Sequence, residues 1–249
     1  MLLGACVVSV LFSLAYASLP LPPYFKACHL KDPNVNECVK QSAKEGIPKL
    51  VNGDPRYKIP RLDPLEITSV KFQKGSGSVS MSLNSWNCLL YGLKDADIQS
   101  ISFNYKTHHL QYDWVIPNAT VSCDYNVTGK VLLLPIQGQG KSSFILKNVI
   151  CNYTYDYDLV KKKDNLEYAV PKNPKLVLDA ERLTVNLENL FNGNKFLGDN
   201  MNAILNDNWE ELMKDMAPAF EETVGQLIHR VLGNVFGLVP YNVALLDNE

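Results

Sequence analysis

Residues 194–236 read NKFLGDNMNAILNDNWEELMKDMAPAFEETVGQLIHRVLGNVF, and the spacing of the apolar side chains in this stretch decides the fold. Met201, Ile204, Leu205, Trp209, Leu212, Met213, Met216, Phe220, Val224, Leu227, Ile228, Val231, Leu232 and Val235 recur at the i, i+3, i+4, i+7 interval of one helical face. At 1.5 Å per residue an unbroken helix of this length spans about 60 Å, more than a domain of this size is wide, so something elongated must cover its stripe. Pro218 removes one backbone hydrogen bond and clashes with the carbonyl four residues back, which predicts a kink or a break into two helices there. Such a stripe serves as buried core, as the wall of a ligand site, or as both, and its flexible methionines suit either role.

The element that covers the stripe lies upstream. From Glu66 to about Leu190 the chain reads as antiparallel strands: Val79, Met81 and Leu83 alternate with serines, and Leu110, Tyr112, Trp114 and Ile116 alternate with His109, Gln111, Asp113 and Val115. Period-two alternation means a sheet with one buried and one wet face. Further strand candidates are 101–105, 120–134, 142–157, 165–170 and 183–190, with no helical pattern between them to build parallel units. Before them come a Pro-rich extended segment at 18–27, and a short helix over Asn34–Lys44 with Val35, Cys38, Val39 and Ala43 inside and Gly46 as terminator. Ile59-Pro60-Arg61-Leu62-Asp63-Pro64-Leu65 follows, held extended by its prolines. The class is α+β, and a curved antiparallel sheet wrapped along the C-terminal helix satisfies both apolar faces at once.

Residues 1–17 carry a continuous apolar run ending in Ala15-Tyr16-Ala17, the small-x-small pattern of a signal-peptidase site, although no Lys or Arg precedes the run. They are read as a signal peptide, with 18–249 as one domain and the protein secreted. The run is too short to span a bilayer and no second one follows, so stable membrane insertion is not expected. The 24 basic and 26 acidic side chains, with only Lys161-Lys162-Lys163 as a basic run, argue against nucleic acid.

Cys28 and Cys38 flank the turn-prone Lys31-Asp32-Pro33-Asn34 and are close enough in sequence for a local bridge. Three Asn-x-Thr sequons, at Asn118, Asn126 and Asn152, mark candidate glycosylation sites and fix strand faces, because a glycan points into solvent. They turn Val121, Cys123, Tyr125 and Val127, and likewise Cys151, Tyr153, Tyr155 and Tyr157, inward. If Pro135-Ile136-Gln137-Gly138-Gln139-Gly140 is the turn between these strands, facing residues sum to roughly 275, which sets Cys123 opposite Cys151. That register predicts a second bridge and leaves Cys88 free; the alternative is three buried thiols.

No constellation for chemistry emerges. Gly138 and Gly140 lack the spacing of a phosphate loop, there is no nucleophile elbow, and adjacent His108 and His109 point to opposite faces of a strand. The cysteines and histidines have no zinc spacing, so neither metal nor cofactor is expected. Glu210-Glu211 and Glu221-Glu222 fall on the wet side of the long helix, where solvation explains them.

Several segments together resemble the takeout and juvenile-hormone-binding protein family of insects. These are Cys28 with Cys38-Val39-Lys40; 59–65; Leu134-Pro135-Ile136-Gln137-Gly138-Gln139-Gly140; Leu187-Glu188-Asn189-Leu190-Phe191-Asn192-Gly193; Leu205-Asn206-Asp207-Asn208-Trp209; and Pro218 in the final helix. They keep the family's order across nearly the whole of 18–249. The resemblance implies a strongly curved antiparallel sheet around the C-terminal helix, enclosing an apolar tunnel, with a Cys28–Cys38 bridge. It implies a non-enzymatic carrier of a small hydrophobic ligand, a juvenile-hormone-like terpenoid or a fatty-acid-like lipid. Expected lining residues are Trp209, Leu212, Met213, Met216, Phe220 and Val224 on the helix and Trp114, Tyr125 and Tyr153 on the sheet. The competing readings are a glycosylated extracellular protein acting through an unidentified protein partner, with its tunnel filled by side chains, and a lipid-ester hydrolase.

Overall fold

Two very long strands set the shape of the molecule. In the computed structural model, which describes residues 18–75 and 79–246, β5 (His109–Val131) and β6 (Leu134–Lys161) form one antiparallel hairpin. The other elements in chain order are β1 (Cys28–His29), α1 (Val35–Gly46), β2 (Leu65–Gln73), β3 (Val79–Tyr91), β4 (Asp97–Asn104), β7 (Glu167–Leu187), α2 (Lys195–Asp207), α3 (Trp209–Phe236), α4 (Tyr241–Ala244) and β8 (Leu245–Leu246). The main sheet runs β2-β3-β5-β6-β7, and β4 pairs with the first half of β5. It curls around α3, as the family resemblance implies. The signal-peptide reading of 1–17 lies outside the described residues.

The hairpin register differs from expectation. Val131 faces Leu134, so Leu132 and Leu133 form a two-residue turn with positive φ at both, 48° and 71°. Paired residues therefore sum to 265: Cys123 faces Ser142, and Cys151 faces Trp114. The Cys123–Cys151 bridge is thereby excluded, and Cys123 is bonded to Cys88 instead. A bulge brings them together, because the β3–β5 register slips between Trp86 and Leu89 and Asn87 takes φ 50°. Cys28 and Cys38 are bonded, and Cys151 is free and buried. The sequence misled because two leucines in left-handed backbone are an uncommon turn.

Gly138 and Gly140 lie within β6 and make no turn. The segment 188–190 crosses over them so closely that a Cβ on Gly138 would sit 2.9 Å from Leu190 Cα, and one on Gly140 would sit 2.9 Å from Glu188 O. Gly46, expected to end α1, is its last residue, packed where a Cβ would meet the Phe25 ring.

The buried face of the sheet inverts along one line that crosses all three long strands. On β5 the inward residues are Leu110 and Ile116 and then Ala119, Val121, Cys123, Tyr125 and Val127. On β6 the change falls between Phe144 and Val149, at Asn148 with φ 46°, and on β7 between Ala180 and Leu183. Pro117, Asn148 and Glu181 stand in line across the three strands, and the Asn148 amide donates to the Glu181 carboxylate. This aligned corner lets strands of more than 20 residues stay wrapped on one helix.

The C-terminal stretch is two helices, but the break falls at Asn208, ten residues before Pro218, which stays inside α3. Asn208 turns its own side chain onto Ile204 O at 2.8 Å and ends α2, a side-chain competitor for the backbone that the apolar pattern hides.

Candidate functional site

Two helices seal the edge of β7. Asn202 and Asn206, four apart on one face of α2, each use their amide as both donor and acceptor toward the strand. Asn202 bonds Leu187 N and O at 2.9 and 3.0 Å, and Asn206 bonds Val185 N and O at 2.8 and 2.8 Å. On α3, Glu221 Oε1 accepts from Leu178 N at 2.9 Å. These side chains satisfy edge groups that would otherwise template another strand. They also pull α3 against β7, and buried Gly225 permits the approach, since a Cβ there would come 3.3 Å from Leu176 Cβ.

With α3 drawn to β7, space opens between α3 and the opposite wall. That space is a cavity of about 990 Å³, walled by α3, by the first half of β5 and the facing second half of β6 with β4, and by α1. Its surface is predominantly apolar. Met213, Met216, Phe220, Val224, Leu227 and Ile228 face it from α3, and Leu110, Tyr112, Trp114, Ile116, Cys151 and Tyr153 face it from the sheet. Six of the nine expected lining residues therefore lie on it: Trp114, Tyr153, Met213, Met216, Phe220 and Val224.

Three do not. Tyr125 is fully buried beyond it, its hydroxyl donating to Glu188 O at 2.7 Å and pushed up to about pKa 12 by burial and by nearby Glu188. Leu212 borders a separate void of about 10 Å³ with Leu205 and Ile136. Trp209 is the first residue of α3 and half-buried, with the Arg182 guanidinium 5.5 Å from its ring centre. The apolar pattern placed all three inside and could not say which inside surface is filled.

The polar groups on the inner side include two tyrosine hydroxyl pairs. Tyr112 and Tyr155 hydroxyls lie 3.5 Å apart, and Tyr157 and Tyr241 hydroxyls 2.8 Å apart. Tyr153, 1% exposed, has a hydroxyl with no hydrogen-bond partner among the described residues, and burial raises its pKa, so it is a neutral donor at any physiological pH. The Cys151 thiol beside it is pushed up to about 12 by burial and stays protonated. His109 Nδ1 pairs with Asp156 at 2.8 Å, and His108 stacks on Tyr157, both away from the cavity lining. Among the described residues no group of three His, Cys, Asp or Glu could hold a metal, and no helix is long and apolar enough to cross a membrane.

Sequence reasoning missed the contribution of α1 (Val39, Ala43) and β4 (Ile98, Phe103), and the charged rim of Lys58, Arg61, Glu66 and Arg230. Val39 and Ala43 were legible as the inner side of a short helix. The rim was not, because its members come from two distant segments.

Residues 5–246 match the family described as Haemolymph juvenile hormone binding protein (JHBP), and the chain belongs to that family. It is similar to the Circadian clock-controlled protein daywake of Drosophila melanogaster, 26% identical over 233 residues that cover 91% of this chain and 88% of that protein. The Drosophila yakuba protein of the same name is 24% identical over the same shares. Among solved structures, Takeout 1 of Epiphyas postvittana superposes with a TM-score of 0.80 at 25% identity, covering 88% of this chain and 99% of that one.

Proposed function

We propose that this protein is a secreted, non-enzymatic carrier that holds one small hydrophobic molecule, a juvenile-hormone-like terpenoid or a fatty-acid-like lipid, in the cavity against α3. The observation that carries this reading is the cavity itself: about 990 Å³ of apolar space, at the upper end of the range of about 300–1,000 Å³ for small-molecule sites. Burial yields roughly 2.5 kcal/mol per 100 Å² of ligand surface taken from water, before the cost of immobilisation. The Tyr153 hydroxyl supplies one hydrogen bond to an oxygen along the ligand. The two disulfides fit an oxidising, extracellular setting reached through residues 1–17, with 18–249 acting as one domain.

Asn118 is exposed and Asn126 and Asn152 are half-buried, all on the outer side of β5 and β6, which suits them as glycan acceptors. The Asn152 amide donates to Asp113, a bond that its glycosylation would replace.

The test is organic extraction and mass spectrometry of protein purified natively from medium. Stoichiometric apolar ligand is expected from the wild type and none from Phe220→Asp, which sets a charge in the cavity wall. Empty wild-type protein that also rejects a panel of terpenoids and fatty acids would instead favour action through a protein partner.

A further inference from the structure

The two long edges of the sheet meet the helices in different ways. The β7 edge is joined to α2 and α3 by the Asn202, Asn206 and Glu221 hydrogen bonds. Between the β2 side and α3, two polar contacts stand far apart: Lys74 Nζ to Asp215 Oδ1 at 2.5 Å, and Asn234 Nδ2 donating to Lys58 O at 2.9 Å. Asp215 and Asn234 are about 28 Å apart along α3. Toward the Asn234 end of this seam the cavity lining reaches exposed residues, Lys58, Arg61, Glu66 and Thr68 on one lip and Arg230 on the other.

The charge at this mouth is uneven. Lys58, Arg61 and Arg230 have no carboxylate partner among the described residues, and Glu66 is the one acidic residue on the cavity lining. The chain as a whole carries a net charge of −2, so this excess of cations is local. Their placement is fixed by the fold. Lys58 adopts φ 56°, a left-handed conformation uncommon for a side chain of this kind, and its carbonyl is tied to α3 through Asn234. Arg61 Nε donates to Asp63 O at 2.9 Å, and Asp63 is itself buried and held by Gly92 N and Lys94 N at 3.0 Å each. Arg230 stands one helical turn before Asn234 and so on the same side of α3.

We infer that Lys58, Arg61 and Arg230 form an anion-holding site at the mouth of the cavity, where the carboxylate of a long-chain acid rests while its tail fills the apolar interior. This deepens the carrier reading and rests on it. The guanidinium forks of arginine suit a carboxylate, and a head left at the exposed rim keeps water on its remaining lone pairs, so its charge is never buried. Neutral esters and alcohols of equal chain length gain the same burial without the ionic contact.

Displacement of a bound fluorescent apolar dye by palmitate and by methyl palmitate tests the assignment, on the wild type and on the Lys58→Gln/Arg230→Gln double variant. Both substituted residues are exposed, and circular dichroism confirms the fold. Wild-type protein is expected to prefer the acid by about tenfold at low salt, with the preference shrinking as salt rises. In the double variant the preference falls below about threefold while methyl palmitate binds as before. Equal wild-type affinity for acid and ester, or an acid preference that the double variant keeps, overturns the anion site and leaves the carrier reading standing. Failure of both lipids, together with failure of the dye, overturns the carrier reading and this site with it.

Discussion

Near the β5–β6 turn the curved sheet and the helices close on a void of about 10 Å³, whereas at the other end the same sheet and the same helix stand around about 990 Å³. The difference does not lie in hydrophobicity, since both ends are walled by Leu, Met, Phe and Val. It lies in how many layers fill the curve. At the packed end α2 and the start of α3 both press on the sheet, and Leu205 and Leu212 meet Met81, Leu83, Ile136 and Phe144. At the hollow end α3 has no α2 beside it, α1 lies across the cavity on the β4 side, and Gly225 and Glu221 hold α3 to β7 rather than to the middle of the sheet. Without α2, α3 leaves the curve unfilled.

Substitution on each side should break this comparison unequally. Leu212→Ala, at 1% exposure in the packed end, is expected to lower stability by about 2–5 kcal/mol in chemical denaturation, the cost of lost contacts plus a new cavity. Leu227→Ala removes a side chain that already faces open volume, so its cost should stay near about 1 kcal/mol and its main effect should be on ligand affinity. Equal losses at the two sites would mean that the hollow end is filled in solution.

A smaller change sharpens the contrast between folding and binding. Tyr153→Phe deletes a buried hydroxyl that has no partner within the described residues, so the empty protein should be unchanged or more stable by up to about 1 kcal/mol. The same variant should bind an oxygen-bearing apolar ligand about 5- to 10-fold more weakly, measured by calorimetry, while a pure hydrocarbon binds as before. The smallest effect belongs to the packed end's turn. Leu133→Gly removes a leucine that is 87% exposed at φ 71°, and the relief of left-handed strain, less the entropy cost of glycine, should raise the melting free energy by about 0.5 kcal/mol.

Much of this architecture was legible from local pattern. The inward parity of Val121 to Val127 and of Cys151 to Tyr157 came from sequons and alternation, and all of those side chains are buried. Those readings hold because a strand's faces alternate whatever it pairs with. Register failed, and with it the second disulfide, because a ten-residue error in the sum of paired positions preserves parity and so leaves no trace in the hydrophobic pattern. The helix break was misplaced for a related reason: Pro218 is a visible defect, whereas Asn208 acts through a hydrogen bond that composition does not display.

The sequence by itself determined the α+β class, the amphipathic faces, the Cys28–Cys38 pairing through its resemblance, and the family. Only the tertiary structure decided which apolar residues are core and which are wall. Burial looks the same from within the chain whether the space beyond a side chain is filled or empty, and that depends on how closely α3 approaches each edge of the sheet. The placement of Lys58 and Arg61 on the same cavity lining as Arg230 was decided in the same way, because they come together only after some 170 intervening residues have folded the chain back so that Lys58 O meets Asn234.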